Sequence, residues 1–136
     1  MSDPAPTASL THVAIHSRDI TASVDFYQSY CGLVEVHRRV EHDVTVVWLA
    51  EPARRHEFVI VLIGVAHEDA AEPGPVAHLG YAVTSTDEVD RLGAMGVGAG
   101  ILVEPPHDAG PIVGYFCIVR DPDGNSVEFS YGQSLG

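Results

Sequence analysis

Thr11-His12-Val13-Ala14-Ile15-His16 and, in the second half of the chain, Ala77-His78-Leu79-Gly80-Tyr81-Ala82-Val83 read as two short strands, each opening near a histidine. Residues 12 and 78 are 66 apart, and the succession of elements after the first strand returns after the second. Beyond 11–16, Asp19 or Thr21 can cap a helix running to about Cys31, with Ile20, Val24, Tyr27 and Cys31 on one face and Gly32 as its stop. Strands at 34–40 and 44–49 come next, turned at His42-Asp43, and a loop through Pro52-Ala53-Arg54-Arg55 leads to a fourth at 57–63. Beyond the strand at 76–83, Ser85-Thr86-Asp87-Glu88 is a capping box for a helix to about Met95, broken by Gly96, Gly98 and Gly100. Strands at 101–104, 114–120 and 126–131 complete the second half, the last two turned by Asp121-Pro122-Asp123-Gly124. Each half is a β-α-β-β-β unit. The expectation is an α+β fold in one domain, with modules at 9–64 and 76–131 joined by a polar linker at 65–75, and a Pro- and Ala-rich arm ahead of residue 10.

Composition narrows the function classes. The chain has 136 residues, 46% of them apolar, enough for one core. Seven Lys+Arg against nineteen Asp+Glu leave a formal charge of −12, which repels a phosphate backbone and argues against nucleic acid as a partner. Apolar runs such as 57–64 are far below the ~20 residues needed to span a bilayer, and the first residues lack the basic start and apolar stretch of a signal peptide. Those features predict a cytoplasmic protein without a membrane partner. Cys31 and Cys117 are too few and too distant in sequence for a disulfide framework or a Cys-x-x-Cys site, and read as buried thiols.

The histidines carry the chemistry. Side chains alternate along a strand, so His12, Ala14 and His16 share a face, as do His78, Gly80 and Ala82, and Ser126, Glu128 and Ser130. A single strand histidine is ordinarily a surface residue. Two at the same repeat position are less easily dismissed, and in register the last strands set Val61 against Glu128. If the sheets curl about a shared concavity, His12, His78 and Glu128 converge there, and two imidazoles with a carboxylate suffice to hold a divalent ion. The small Ala14, Gly80 and Ala82 leave room beside them.

The segments Leu10–Ile15, Asp19–Tyr27, Cys31-Gly32-Leu33, Ala77–Val83 and Asp121–Phe129 together resemble the vicinal oxygen chelate superfamily over about residues 9 to 131. That superfamily includes glyoxalase I, extradiol dioxygenases, methylmalonyl-CoA epimerase, and fosfomycin- and bleomycin-resistance proteins. The resemblance implies two tandem βαβββ modules forming curved mixed sheets around a metal-binding cavity, with His12, Val61, His78 and Glu128 at the four usual ligand positions. Valine cannot ligate, and His16 stands where glutathione-using members often have arginine, so a glutathione-dependent glyoxalase fits poorly. The remaining His12-His78-Glu128 set leaves up to three adjacent positions open, as in the extradiol dioxygenases. Their acid-base tyrosine, however, is matched by Ile118, and the phosphonate contacts of the fosfomycin proteins fall near Phe116 and Ile118. His107, in the Pro-rich loop, is a candidate general acid or base, with His16 and Tyr115 as further catalytic candidates. Trp48, Phe116 and Ile118 are candidate cavity walls. The resemblance implies a homodimer that binds a small-molecule substrate through one divalent ion (Fe, Mn, Zn or Ni), its ligands drawn from one chain or from two. Dioxygenase-type chemistry at Fe(II) or Mn(II) is the first expectation, a glyoxalase-type lyase or isomerase the second, and a non-catalytic drug- or metabolite-binding protein the third.

Overall fold

The computed structural model describes residues 10–66 and 77–134, so the N-terminal arm and most of the expected linker lie outside the described residues. Two four-stranded mixed sheets carry the chain. The first is ordered β1-β4-β3-β2, from β1 (His12–Ser17), β2 (Val34–Glu41), β3 (Val44–Ala50) and β4 (Val59–Gly64). The second is ordered β5-β8-β7-β6, from β5 (Leu79–Ala82), β6 (Leu102–Asp108), β7 (Tyr115–Arg120) and β8 (Ser126–Tyr131). Helix α1 (Ile20–Cys31) follows β1, and α2 (Thr86–Ala99) follows β5. The first strand of each sheet runs parallel to its last, and all other neighbours are antiparallel. The two sheets therefore have the same topology, and Ala14 opposite Val61 corresponds to Gly80 opposite Glu128.

Local signals act where the sequence places them. Asp19 accepts the Ala22 amide at 3.1 Å to open α1, and Gly32 closes it in the left-handed conformation. Ser85 accepts the Glu88 amide at 3.1 Å to open α2. His42 and Asp43 both take positive φ, which matches the turn to the twist of the hairpin it joins.

Four expectations need correction. Strand β5 spans only Leu79–Ala82, so His78 stands just ahead of it rather than within it. Helix α2 continues four residues past Met95, through Gly96 and Gly98, and ends at Gly100. Gly96 is no breaker here: it faces Val119, where a side chain would have no room. Strand β6 extends to Asp108 and takes in Pro105 and Pro106, which an edge strand with interrupted pairing tolerates. Strand β4 begins at Val59, because Pro52–Arg54 form a 3-10 turn that delays it.

One face of each sheet is buried. Val47, Leu49, Ile60 and Leu62 from the first and Cys117, Val119, Val127 and Phe129 from the second belong to a single apolar core with Val24, Phe26 and Tyr27 of α1 and Val89 and Leu92 of α2. Each large aliphatic or aromatic side chain so buried contributes about 1.5–3 kcal/mol. Helix α1 reaches both sheets: it packs on β3 and β4 of the first, and Tyr30, stacked on Phe26 of the same helix at 4.7 Å, lies 6.4 Å from Phe129 of the second. The turn between β7 and β8 is held from the same helix. Asp121 accepts the buried Tyr27 hydroxyl at 2.7 Å, the amides of Asp123 and Asn125, and the Asn125 side-chain amide. Asp123 accepts the Arg18 amide at 2.9 Å and the Ser23 hydroxyl at 3.2 Å.

Candidate metal centre

With the core on one face of each sheet, the alternation of side chains leaves the other face to the candidate residues. On the first sheet the rows across the strands are His12 with Val59; Ala14 with Val61, Trp48 and His37; and His16 with Ile63, Val46 and Arg39. On the second they are Gly80 with Glu128, Ile118 and Glu104, and Ala82 with Ser130, Phe116 and His107. Trp48, Phe116 and Ile118 all lie on these faces, but on different sheets: Trp48 on the first, Phe116 and Ile118 on the second.

His78 and Glu128 come together. Nε2 of His78 is 4.0 Å from Oε2 of Glu128, and the Glu128 side chain is only 8% exposed. The approach follows from register. Glu128 sits opposite Gly80, two residues along from His78, and a β-carbon on Gly80 would stand 3.3 Å from Oε2. Glycine thus leaves space at the carboxylate. Two donors this close, one nitrogen and one oxygen, suit a hard-to-borderline divalent ion.

His12 does not join them within one chain. It lies in a groove of about 970 Å³ on the first sheet, whose lining residues all fall within 11–63. His78 instead borders a cleft of about 660 Å³ beside β5, with Val13, Leu33, Leu49 and Ile60 on its far wall. Among the described residues no three His, Cys, Asp or Glu side chains are gathered closely enough to share an ion. The expected convergence fails within the chain for a topological reason: α1 packs against the covered faces of both sheets, so their open faces do not meet.

The catalytic candidates separate. His107 is on strand β6 rather than in a loop, and its ring packs on Phe116 at 4.6 Å. Its Nδ1 is 2.8 Å from the Pro105 carbonyl. A carbonyl can only accept, so Nδ1 carries the proton and Nε2 of the neutral ring is left as an acceptor. Tyr115 belongs to the wrong face. It sits in line with Cys117 and Val119, and donates its hydroxyl to Asp90 of α2, a bond that raises its pKa. It is withdrawn from the site. His16 keeps its place on the His12 face, two rows further along. Both cysteines are unpaired, and burial pushes the thiols up, Cys117 to about 11 and Cys31 to about 12. Sequence reasoning missed His37, Arg39 and Arg55, which line the first-sheet groove with His12. A bulge at Val36 sets which side chains of β2 face the groove, and no residue pattern announced it.

Residues 9–129 match the model of the Glyoxalase/Bleomycin resistance protein/Dioxygenase superfamily. The chain belongs to that superfamily. Its topology and the span of the match agree with the resemblance carried by the two histidine strands. Within the superfamily, the chain is 41% identical over 127 residues to the uncharacterized protein PA2024 of Pseudomonas aeruginosa, covering 93% of this chain and 91% of that one. Among solved structures, a glyoxylase/bleomycin resistance protein/dioxygenase domain from Frankia sp. superposes with a TM-score of 0.74 at 22% identity, over 94% of this chain and 100% of that one. A mutant of the fosfomycin resistance protein FosX from Listeria monocytogenes, complexed with Mn(II) and 1S,2S-dihydroxypropylphosphonic acid, gives 0.73 at 16% identity, over 96% of each chain. At these identities the structural matches establish a shared superfamily fold. No helix among the described residues is long and apolar enough to cross a membrane.

Proposed function

We propose that the protein is a divalent-metal-dependent enzyme acting on a small molecule that presents two vicinal oxygens, and that each site forms between two copies of the chain. His78 and Glu128 of one copy and His12 of the other would hold the ion. The observation that carries this reading is the 4.0 Å approach of His78 to Glu128 beside Gly80. His12 occupies the equivalent repeat position on a sheet face that the chain's own second module does not cover. Laying the first sheet of each copy over the second sheet of the other is a self-complementary arrangement, and a twofold pair closes it. The FosX complex, with Mn(II) and a vicinal diol on the same fold, supports the choice of ligand class.

When bound, the ion would supply Lewis acidity to the two adjacent oxygens of the substrate. The chain's own groups do the rest. Trp48 from one side and Phe116 and Ile118 from the other form apolar walls, and His107 offers Nε2 as a proton acceptor on the same face as Glu128. With two imidazoles and one carboxylate as protein ligands, dioxygenase-type chemistry at Fe(II) or Mn(II) is the specific reaction proposed. A glyoxalase-type isomerisation or lyase reaction is the second reading, favoured by the free Nε2 of His107 as base. Oxygen uptake with a catechol and ferrous iron supports the first; turnover that proceeds without oxygen and collapses in His107→Ala supports the second.

The site itself is tested by Mn(II) titration. Each of His12→Ala, His78→Ala and Glu128→Ala is expected to abolish tight binding. Mixing His12→Ala with Glu128→Ala chains is expected to restore about one quarter of the wild-type sites, because half the random pairs are mixed and each holds one intact set. A mixture that binds no more than its components would refute a site shared between chains. A wild-type protein that takes up no divalent ion would point to a non-catalytic binding protein.

A further inference from the structure

We infer that the first-sheet groove is built for a planar, conjugated carboxylate, with Trp48 as its platform and Arg39 and Arg55 as its charge-selecting residues. This names a substrate class for the site proposed above and rests on that reading only for its link to catalysis, since the groove belongs to one chain.

Trp48 is the only tryptophan, and it remains 36% exposed on the open face. Its neighbours arrange the indole from two sides. The His37 ring is 4.7 Å away, tilted 55°, and the Arg39 guanidinium carbon is 5.8 Å from the ring centroid. An indole braced by an imidazole and a guanidinium is a flat surface with positive charge at its margin, which favours stacked planar anions.

The charge pattern around it is selective. The chain is strongly acidic, yet Arg39 and Arg55 both line this one groove, with His12, His37 and His56. The groove's own carboxylates are already engaged by other arginines: Glu35 with Arg38 at 2.6 Å, and Glu57 with Arg54 at 3.4 Å. Arg39 is bound to Glu41 through Nε, which leaves its terminal nitrogens uncommitted to that carboxylate. Among the described residues Arg55 donates only to the Pro52 carbonyl, and with Arg120 it is one of two arginines without a carboxylate partner there. A guanidinium beside an apolar floor of Val59, Val61 and Ile63 is suited to a carboxylate whose body is apolar.

The experiment monitors the indole N–H resonance of Trp48 by NMR while benzoate or its neutral isostere benzamide is added to the full-length protein, with and without Mn(II). The expected result is that both shift the signal and that benzoate binds about tenfold more tightly, the effect of one charge-assisted contact. In Arg55→Gln and in Arg39→Gln that ratio is expected to fall several-fold, and in the double variant to approach one. Arg91→Gln, on helix α2 and outside the groove lining, is expected to leave it unchanged. Equal affinity of the two probes in the wild type, a ratio unmoved by the double variant, or no response of Trp48 to either probe would overturn the inference. If the protein binds no Mn(II), the metal reading fails while the benzoate-to-benzamide ratio still decides this one.

Discussion

Tyr27 holds its hydroxyl in the core with, among the described residues, a single hydrogen-bond partner, the Asp121 carboxylate at 2.7 Å. Tyr27→Phe removes one bond and leaves Asp121 with three donors, so a loss of about 1–2 kcal/mol in urea unfolding is expected. Asp121→Ala strands the hydroxyl and two backbone amides together, and its cost is expected to reach about 3 kcal/mol or more. Burial also holds the thiols of Cys31 and Cys117 protonated, at about 12 and about 11. The unfolded chain releases those protons nearer pH 9, so the unfolded state binds fewer protons above that pH and stability falls as pH rises from about 9 towards 11–12. Melting temperatures measured from pH 8 to 11 check the direction, and thiol labelling of the native protein at pH 8 is expected to be slow. At Gly80 a larger side chain meets the Glu128 carboxylate. Gly80→Val is expected to weaken Mn(II) binding by about tenfold or more while circular dichroism shows the fold retained.

Among the elements, α2 separates two effects that one residue type usually mixes. Replacing a helical glycine with alanine ordinarily stabilises by about 0.5–1 kcal/mol. Gly98 has nothing within 4 Å of where a β-carbon would stand, so Gly98→Ala is expected to gain that amount. At Gly96 the β-carbon would stand 2.7 Å from Cγ1 of buried Val119, and overpacking of about 1–3 kcal/mol outweighs the gain. Paired thermal melts of the two variants, moving in opposite directions, check the contrast. The same glycine explains what the sequence concealed. Capping at Asp19 and Ser85 and the turns at His42-Asp43 and after Asp121 were legible because each acts through neighbours in the chain. The end of α2, the reach of β6 through Pro105 and Pro106, and the bulge at Val36 depend on what lies across the fold, which a local pattern does not record.

For the whole molecule, the duplication was legible because two histidine strands repeat with their helices and sheets, and the sheets share one topology. The faces of His12 and Glu128 followed from alternation alone. Their meeting did not, since which face of each sheet α1 covers depends on aromatic packing at Phe26, Tyr30 and Phe129. Tyr115 failed for a related reason, one residue of parity putting it beside α2. The pairing proposed here predicts twice the chain mass in light scattering, and chelator treatment of the metal-loaded protein is expected to lower its melting temperature, as binding linkage requires.

The grip of α1 on the Asp121 turn has a practical corollary. Residues on either side of 67–76 hold the halves together, Tyr27 to Asp121 and Tyr30 to Phe129, so fragments ending at 66 and beginning at 77, co-expressed, are expected to reassemble. Such a split form would let either half be mutated, labelled or exchanged on its own.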